Sequence, residues 1–238
     1  MADDSKATPV ALPFRDRTEA GRLLGEALEA HRGRDLLVLA LPRGGVCVAA
    51  GVARVLESPL DLMIVRKLDV PSQPELAMGA IGSGGVRVLN ADVIAALGIA
   101  PDGVDAVAER EQRELERREH VYRGERPPPC LRGRTVLLVD DGLATGATMR
   151  AAVYATAAQQ LAALLAAVPV AAMEDRAALL GAVDELICLA TPAHFGSVGR
   201  WYESFPQVSD AEVRGLLQAA WRREQTHHDL PTDGRATP

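Results

Sequence analysis

Two adjacent carboxylates, Asp140 and Asp141, are the residues of this sequence best suited to chemistry. They follow residues 135–139, an apolar run of β-branched residues and leucine that is typical of a strand buried on both faces. The end of a buried strand is a costly place for two charges. Carboxylate oxygens accept hydrogen bonds from vicinal hydroxyls or hold a hydrated divalent cation. The pair is therefore a candidate site for a sugar or a metal ion.

The residues after the acidic pair form a candidate phosphate-binding loop. Gly142, Thr145, Gly146 and Thr148 lead into an alanine-rich run that is typical of a helix. The unpaired N–H groups and the dipole at a helix N-terminus favour a phosphate, and the two hydroxyls add donors. A ribose 5-phosphate would satisfy both halves of the motif. The alternative is an ordinary strand-to-helix turn with an Asp cap.

A second candidate loop consists of Arg43, Gly44 and Gly45. It follows residues 35–41, a nearly continuous apolar run that predicts the first central strand. Two glycines let a backbone approach a ligand closely, and Arg43 adds a permanent cation. This composition suits a pyrophosphate. A tight turn that needs glycine only for steric reasons is equally compatible with it.

A third candidate is the basic pair Arg66 and Lys67. Residues 60–65 predict a second strand, so the pair would lie at its carboxyl end. Ligands of open α/β sheets bind at this edge, where the other two motifs are also expected. The alternative is a solvated strand end with no ligand.

The elements that must position these residues alternate between strands and helices. Residues 161–170 and 185–190 predict further strands, with helices at 147–160 and 174–181. Such alternation indicates a sheet covered on both faces. The sequence therefore predicts the α/β class, with a parallel twisted sheet flanked by helices.

Length and composition fit a single domain. The chain has 238 residues, of which 48% are hydrophobic, enough to fill one large core. We expect the domain to span residues 14–224, with its core at about 35–190. A small hood at about 191–208 would be joined by the N-terminal segment. Residues 1–13 and 225–238 are expected to be disordered ends.

Residues 68–85 are punctuated by glycine and proline and predict a flexible loop. Long loops of this kind in compact domains often act as lids. Within it, residues 77–81 could pair with residues 86–89 as a hairpin. Glu75 lies in this segment and is a candidate general acid or base, although a lone Glu in a loop is more often only solvated.

Four aromatic residues lie in one short segment near the end of the sequence: Phe195, Trp201, Tyr202 and Phe205. Aromatic residues make up only 3% of the chain, so their clustering is informative. One interpretation is a hood whose rings, with Trp201 or Tyr202 nearest, stack on a planar acceptor such as a nucleobase. The other is a small satellite core under the edge of the sheet.

Charge and cysteine content narrow the kinds of partner. The net charge is −6, so there is no global basic field for a nucleic acid backbone. The N-terminal residues have no long apolar core and no apolar run reaches bilayer length, so neither a signal peptide nor a membrane span is predicted. Cys47, Cys130 and Cys188 lack a paired metal spacing and indicate reduced thiols. We therefore expect a cytoplasmic protein that binds neither nucleic acid nor a membrane.

Together the three motifs resemble those of the type I phosphoribosyltransferases. In that family an apolar strand leads into an acidic pair and a TGxT loop that bind 5-phosphoribosyl-1-pyrophosphate (PRPP), as at residues 140–148. The whole chain looks most like an uncharacterised bacterial group of this family. The resemblance implies that Asp140 and Asp141 face the ribose 2- and 3-hydroxyls. The 5-phosphate would contact the loop residues Ala144, Thr145, Gly146, Ala147 and Thr148.

The resemblance also implies roles for the other motifs. In the family, the loop after the first core strand binds the pyrophosphate, often with a strained cis peptide, and residues 43–45 look like it. The second strand of the family similarly ends in Arg-Lys facing the pyrophosphate, as at residues 66–67. The implied cofactor is Mg²⁺, held indirectly by Asp140 and Asp141 through PRPP or water. The implied partners are PRPP and a small planar acceptor, and a homodimer is compatible with the resemblance.

One departure from the family leaves the reaction open. Ala144 stands where hypoxanthine-guanine enzymes similarly place an Asp that handles the purine proton, so no base is assigned. The leading hypothesis is transfer of the phosphoribosyl group to a nitrogen acceptor with release of pyrophosphate. Its candidate catalytic residues are Asp140, Asp141, Arg66, Lys67 and Glu75. The alternatives are a non-catalytic regulatory module that binds PRPP or a nucleotide, and a hydrolase of a phosphoribosyl compound.

Overall fold

The computed structural model describes residues 10–228, which form two β-sheets and seven α-helices. The strands are β1 (Leu36–Ala40), β2 (Leu60–Leu62), β3 (Val65–Val70), β4 (Gln73–Gly82), β5 (Val86–Leu89), β6 (Thr135–Val139), β7 (Ala163–Val170) and β8 (Glu185–Ala190). The helices are α1 (Arg17–Ala27), α2 (Gly44–Val55), α3 (Ala91–Ala96), α4 (Pro101–Arg123), α5 (Ala147–Ala157), α6 (Met173–Leu179) and α7 (Asp210–His228).

The main sheet has five parallel strands in the order β2-β1-β6-β7-β8, which confirms the predicted α/β class. The chain leaves β1 toward β2 on one side, while β6 lies on the other side of β1. Their register places Ala40 opposite Val139, so the two strands end side by side. The loops that follow β1 and β6 therefore meet at the point where the strand order reverses, the usual ligand crevice of open α/β sheets.

Helices cover both faces of this sheet. On one face, Val38 and Leu137 pack in a core with residues of α1, α2, α4 and α7. On the other face, Leu37 and Leu138 pack with residues of α5 and α6. Successive residues of β1 and β6 are buried on opposite faces, which is why both strands read as continuous apolar runs.

The second sheet is antiparallel, with the order β3-β4-β5, and it corrects one strand prediction. Residues 60–65 do not form a single strand, because β2 ends at Leu62 and β3 begins at Val65 in the other sheet. Arg66 and Lys67 therefore lie inside β3 and not at the carboxyl end of a core strand.

Residues 68–85, expected to be a flexible loop, instead form the end of β3, all of β4 and the turn into β5. The hairpin predicted between residues 77–81 and 86–89 is present as β4 and β5, with Gly79 opposite Leu89. The glycines here accompany close packing. A Cβ at Gly79 would lie 2.4 Å from the Val88 carbonyl oxygen, and one at Gly82 would lie 2.8 Å from the Ala155 Cβ.

The helix at the end of the described chain is longer than expected. α7 continues to His228, so residues 225–228, predicted to begin a disordered tail, are helical. Residues 10–13, predicted as the end of a disordered N-terminus, are also described, whereas residues 1–9 and 229–238 lie outside the described residues. Within residues 10–228, no helix combines the length and apolar character needed to cross a bilayer.

Candidate active site

The loops after β1 and β6 are in direct contact. A Cβ on Gly44 would lie 1.9 Å from Asp141 Oδ2, and one on Gly45 would lie 2.9 Å from the Asp140 Cα. No larger side chain fits at either position, so the glycines are required by the approach of the acidic pair. The peptide bond between Pro42 and the next residue is cis. Two of the three predicted motifs are thus brought together.

Asp141 is held by Arg17, which no sequence motif indicated, and by Tyr202 of the aromatic segment. Arg17 Nε donates to Asp141 Oδ2 at 2.7 Å, and both side chains are largely buried, at 10% and 16% exposed. The same guanidinium donates through Nη1 to the Pro206 carbonyl at 2.8 Å and lies 3.6 Å from the centre of the Phe205 ring. The Tyr202 hydroxyl donates to the Asp141 carbonyl oxygen at 2.6 Å. Because Arg17 and Asp141 are 124 positions apart, no local spacing could have revealed their contact.

The two carboxylates have unequal compensation. The Asp141 backbone N–H donates to Asp140 Oδ1 at 2.8 Å. Burial, reinforced by the charge of Asp141, raises the pKa of Asp140 well above its ordinary value. Burial also raises the pKa of Asp141, but the hydrogen bond and charge of Arg17 oppose that shift. A cation or a set of ligand donors next to Asp140 would therefore relieve an unfavourable charge.

The loop between β6 and α5 forms an open cradle. Gly146 adopts a left-handed conformation with φ of 62° at the N-cap of α5, and no side chain of the described residues bonds to that cap. Thr145 and Thr148 are exposed, and the first turn of α5 has no acidic residue. Arg150 folds back toward the loop, since a Cβ on Gly146 would lie 2.9 Å from its Nη1. Free N–H groups, two hydroxyls and a cation together suit a phosphate.

The predicted cations have different immediate neighbours. The Arg43 side chain is 40% exposed, and its Nη1 lies 3.9 Å from Asp210 Oδ1 at the start of α7. Arg66 points to α4, where its Nε and Nη2 lie 2.8 and 2.6 Å from Glu111 Oε2. Although burial opposes it, hydrogen bonds from Arg66 and Arg110 lower the pKa of Glu111. Arg66 is therefore engaged by a carboxylate outside the acidic pair.

Lys67 lies on the other side of β3. Its side chain is 42% exposed, and Nζ is 3.5 Å from Asp69 Oδ1. It lines a groove of about 580 Å³ between the antiparallel sheet and α5, together with Ala147, Arg150 and Tyr154. This groove adjoins the phosphate cradle through Ala147. The candidate acid or base Glu75 lies in β4, and its side chain is outside the described part of the structure.

The aromatic segment forms a cluster at the same edge. Tyr202 is buried, and its ring centre lies 5.5 Å from that of Phe14 and 4.9 Å from that of Phe205. Trp201 Nε1 donates to the Phe195 carbonyl at 3.0 Å, and both side chains are partly exposed. Tyr202 is thus packed as in a satellite core and cannot stack on an acceptor without leaving it. The acceptor role of Phe195 and Trp201 stays a prediction.

The acidic pair can supply oxygen ligands for Mg²⁺ but not a complete site. Among residues 10–228, no group of three or more His, Cys, Asp or Glu side chains could hold a metal ion. Mg²⁺ commonly binds one or two carboxylates and takes its remaining oxygens from substrate phosphates and water. The raised pKa of Asp140 fits such a partner, because added positive charge would stabilise its ionised form.

Known proteins share this sequence and fold. A family model described as the phosphoribosyl transferase domain matches residues 17–198. Two curated Mycobacterium tuberculosis proteins, from strains CDC 1551 and H37Rv, are both named "Putative phosphoribosyl transferase". They are 47% identical to this chain over 209 residues, which cover 88% of this chain and 47% of each relative. The chain thus spans about half the length of these curated relatives.

A solved structure agrees over nearly its whole length. The crystal structure of the protein TT1426 from Thermus thermophilus superposes with a TM-score of 0.80 at 40% sequence identity. The alignment covers 87% of this chain and 99% of that chain. On these matches, the chain belongs to the phosphoribosyl transferase domain family.

Proposed function

We propose that the protein transfers the 5-phosphoribosyl group of PRPP to a nitrogen atom of a small planar acceptor and releases pyrophosphate. The observation that carries this proposal is the meeting of three binding elements at one edge of the sheet. The acidic pair suits the ribose hydroxyls, residues 144–148 suit the 5-phosphate, and residues 43–45 suit the pyrophosphate. Gly44 brings the acidic pair and residues 43–45 into direct contact.

The chemistry asks for opposite charges at the two ends of the reacting bond. As the bond from the anomeric carbon to pyrophosphate breaks, positive charge develops on the sugar ring and negative charge on the leaving group. Asp140 and Asp141 would stabilise the ring by accepting hydrogen bonds from its hydroxyls. Arg43 and the backbone of Gly44 and Gly45 would stabilise the pyrophosphate. Mg²⁺, when bound, supplies further positive charge to the pyrophosphate oxygens.

The surroundings of Asp141 position it for this role. Arg17 favours the ionised form of its carboxylate and fixes one oxygen, while Tyr202 fixes its backbone carbonyl. The remaining oxygen is the one available to a sugar hydroxyl. Pre-organised acceptors of this kind are more effective than mobile ones, because their orientation costs nothing when the ligand binds.

Binding of PRPP tests the proposal. We expect isothermal titration of the parent protein with PRPP and Mg²⁺ to show saturable binding, and Asp141→Asn to weaken it about tenfold or more, the loss of one charged hydrogen bond. Glu203→Gln, a change of one exposed acid in the hood, should bind as the parent does. No binding by the parent, or equal binding by Asp141→Asn, would show the assignment to be wrong.

Two observations favour a second candidate, a module that binds PRPP without chemistry. Ala144 is exposed and offers no ionisable group, and Arg66 is held by Glu111. A screen of PRPP with purines, pyrimidines and small amines, in which pyrophosphate release is measured, separates the transferase from the binding module. Release that requires one acceptor supports the transferase, and release without any acceptor indicates a hydrolase. PRPP binding without release under any condition supports the binding module.

A further inference from the structure

A cavity of about 640 Å³, here called the rear cavity, lies between the end of α2, the segment before β2 and the second half of α7. Arg54, Arg126 and Arg223 are among its lining residues. Because β2 starts at Leu60, the segment before it lies at the amino edge of the parallel sheet. The candidate active site lies at the opposite edge. α2 begins there at Gly44 and ends beside the rear cavity, and a helix of its length spans about 18 Å.

The two acids around the rear cavity are already engaged. Glu57 forms an ion pair with Arg32. Glu224 Oε2 lies 2.9 Å from Arg126 Nη2, and its Oε1 accepts a hydrogen bond from the Leu60 backbone N–H at 3.2 Å. The negative charge of Glu57 is therefore compensated by Arg32 outside the cavity, and that of Glu224 by Arg126.

The other two arginines have no such direct partner among the described residues. Within residues 10–228, Arg54 and Arg223 form no ion pair, and both are exposed to the cavity. Burial and the nearby charge of Arg54 lower the pKa of Arg223, and the charge of Glu224 opposes this shift only in part. Two guanidinium groups that repel each other in a chain of net charge −6 are an unfavourable arrangement without an anion between them.

The other lining residues indicate the chemistry of the uncharged part of an anionic ligand. Ala53, Pro59 and Ala220 give apolar surface, and Ser58 and Gln225 give hydrogen-bonding groups. The volume lies within the usual range for small-molecule sites, about 300–1,000 Å³. A ligand that suits this lining has a charged group for the arginines and a flat, largely apolar body with polar edges.

We propose that the rear cavity binds a nucleoside phosphate, with its phosphates at Arg54 and Arg223 and its base against Pro59 and Ala220. This site does not depend on phosphoribosyl transfer. The family model matches residues 17–198, whereas one wall of the cavity is α7, at residues 210–228. The cavity is therefore built partly from a segment beyond the matched family domain.

Titration with ADP tests the proposal. We expect Arg54→Gln combined with Arg223→Gln to weaken ADP binding about tenfold or more, because two charged hydrogen-bond donors are lost. Arg214→Gln removes the same charge from an exposed position of α7 outside the cavity lining and should change affinity less than about twofold. Arg43→Gln removes a cation at the candidate active site and should leave this binding unchanged.

The two tryptophans report where ADP binds. Trp221 lies beside the rear cavity, with Arg126 at 4.6 Å from the centre of its ring, while Trp201 lies in the aromatic cluster at the other edge. We expect ADP to shift the Trp221 indole N–H signal in a nitrogen-15 spectrum and to leave that of Trp201 in place. No ADP binding, binding that resists the double substitution, or binding lost in Arg43→Gln with a shift only at Trp201 would each overturn the proposal.

Discussion

Asp140 and Asp141 show that adjacent residues of one type can have different electrostatic surroundings. Asp141 has a cation, Arg17, against one oxygen, whereas Asp140 has a backbone N–H. One positive charge for two buried carboxylates leaves a negative excess at the end of β6. This excess is unfavourable for folding and favourable for binding Mg²⁺ or a polyhydroxyl ligand.

The stability of the protein should therefore rise when Asp140 loses its charge. In the folded state the pKa of Asp140 lies above the value of about 3.9 for an unfolded Asp. Between these two pKa values the folded state binds more protons, so this group lowers stability as pH rises. We expect Asp140→Asn, which keeps an acceptor for the Asp141 N–H, to be about 1 kcal/mol more stable than the parent at neutral pH.

Urea denaturation between pH 4 and pH 8 measures this effect. The difference between Asp140→Asn and the parent should shrink toward the acid end of the range, because the parent carboxyl becomes protonated in the folded state there and about half protonated in the unfolded state. Glu203→Gln, at an exposed side chain, should show no such trend. A difference that is constant over the whole range would contradict the explanation by charge.

The ion pair of Arg17 with Asp141 should be important for stability. Arg17→Gln leaves a largely buried carboxylate without its cation, which we expect to cost about 3 kcal/mol. Arg17→Gln combined with Asp141→Asn should recover at least half of that loss, because the uncompensated charge is gone. A double-mutant cycle by chemical denaturation measures the coupling. If the double variant is as unstable as Arg17→Gln, the contacts of Arg17 with Phe205 and Pro206 explain its role instead.

These residue contacts mark a limit of prediction from the sequence. The acidic pair and the phosphate cradle can be recognised from the sequence because their residues are nearly consecutive. An apolar strand followed by two acids is a local pattern. Arg17 lies in an unremarkable helix start, and its partner is 124 positions away. Arg66 was predicted to face pyrophosphate, but its ion pair with Glu111 spans 45 positions and has no local signal either.

At the scale of elements, the start of α2 is fitted to the end of β6. A Cβ at Gly44 would overlap Asp141 Oδ2, so Gly44→Ala must displace that carboxylate. We expect the variant to lose PRPP affinity by about tenfold or more, measured by titration calorimetry. Gly215→Ala in α7 is the matched control, since no atom lies within 4 Å of the added Cβ. It should keep PRPP affinity and raise stability by up to about 1 kcal/mol.

The antiparallel sheet explains why one element was misread. Glycine and proline at residues 68–85 are typical of loops, and although residues 77–81 are predicted to form part of a hairpin, nothing in the sequence identifies the first half of β4. Gly79 and Gly82 instead sit where the Val88 carbonyl and the Ala155 side chain leave no room for a Cβ. Glycine in a strand can thus record a close neighbour. That neighbour is known only when the tertiary structure is known.

Hydrogen exchange distinguishes the ordered hairpin of β3 and β4 from a mobile lid loop. Residues 79–82 pair with both β3 and β5, so their amides should exchange slowly even without ligand. The pairing is irregular between Leu68 and Val70, so the tip at residues 70–77 should exchange faster. If the hairpin of β3 and β4 covers the candidate active site, PRPP with Mg²⁺ will slow amide exchange at its tip. Fast exchange throughout residues 65–82 would contradict the paired sheet.

At the scale of the whole molecule, two distant parts of the chain meet beside the acidic pair. Phe14 pairs with Tyr202, and its backbone N–H donates to the Trp201 carbonyl at 2.8 Å. The Glu203 N–H donates back to the Phe14 carbonyl at 2.7 Å. Through the Tyr202 hydroxyl this hood is attached to Asp141. A change in the hood should therefore reach the acidic pair, which we propose binds the sugar.

Neighbouring residues of the hood should affect different ligands. Tyr202→Phe removes the hydrogen bond to the Asp141 carbonyl but keeps the buried ring, so we expect PRPP affinity to fall about fivefold, equivalent to about 1 kcal/mol. Trp201 is partly exposed and has no contact with Asp141 among the described hydrogen bonds. Trp201→Ala should weaken use of the acceptor, measured as a higher KM in pyrophosphate release, and leave PRPP affinity nearly unchanged. Equal loss of both ligands in Trp201→Ala would mean that this ring, like that of Tyr202, serves only to hold the hood in place.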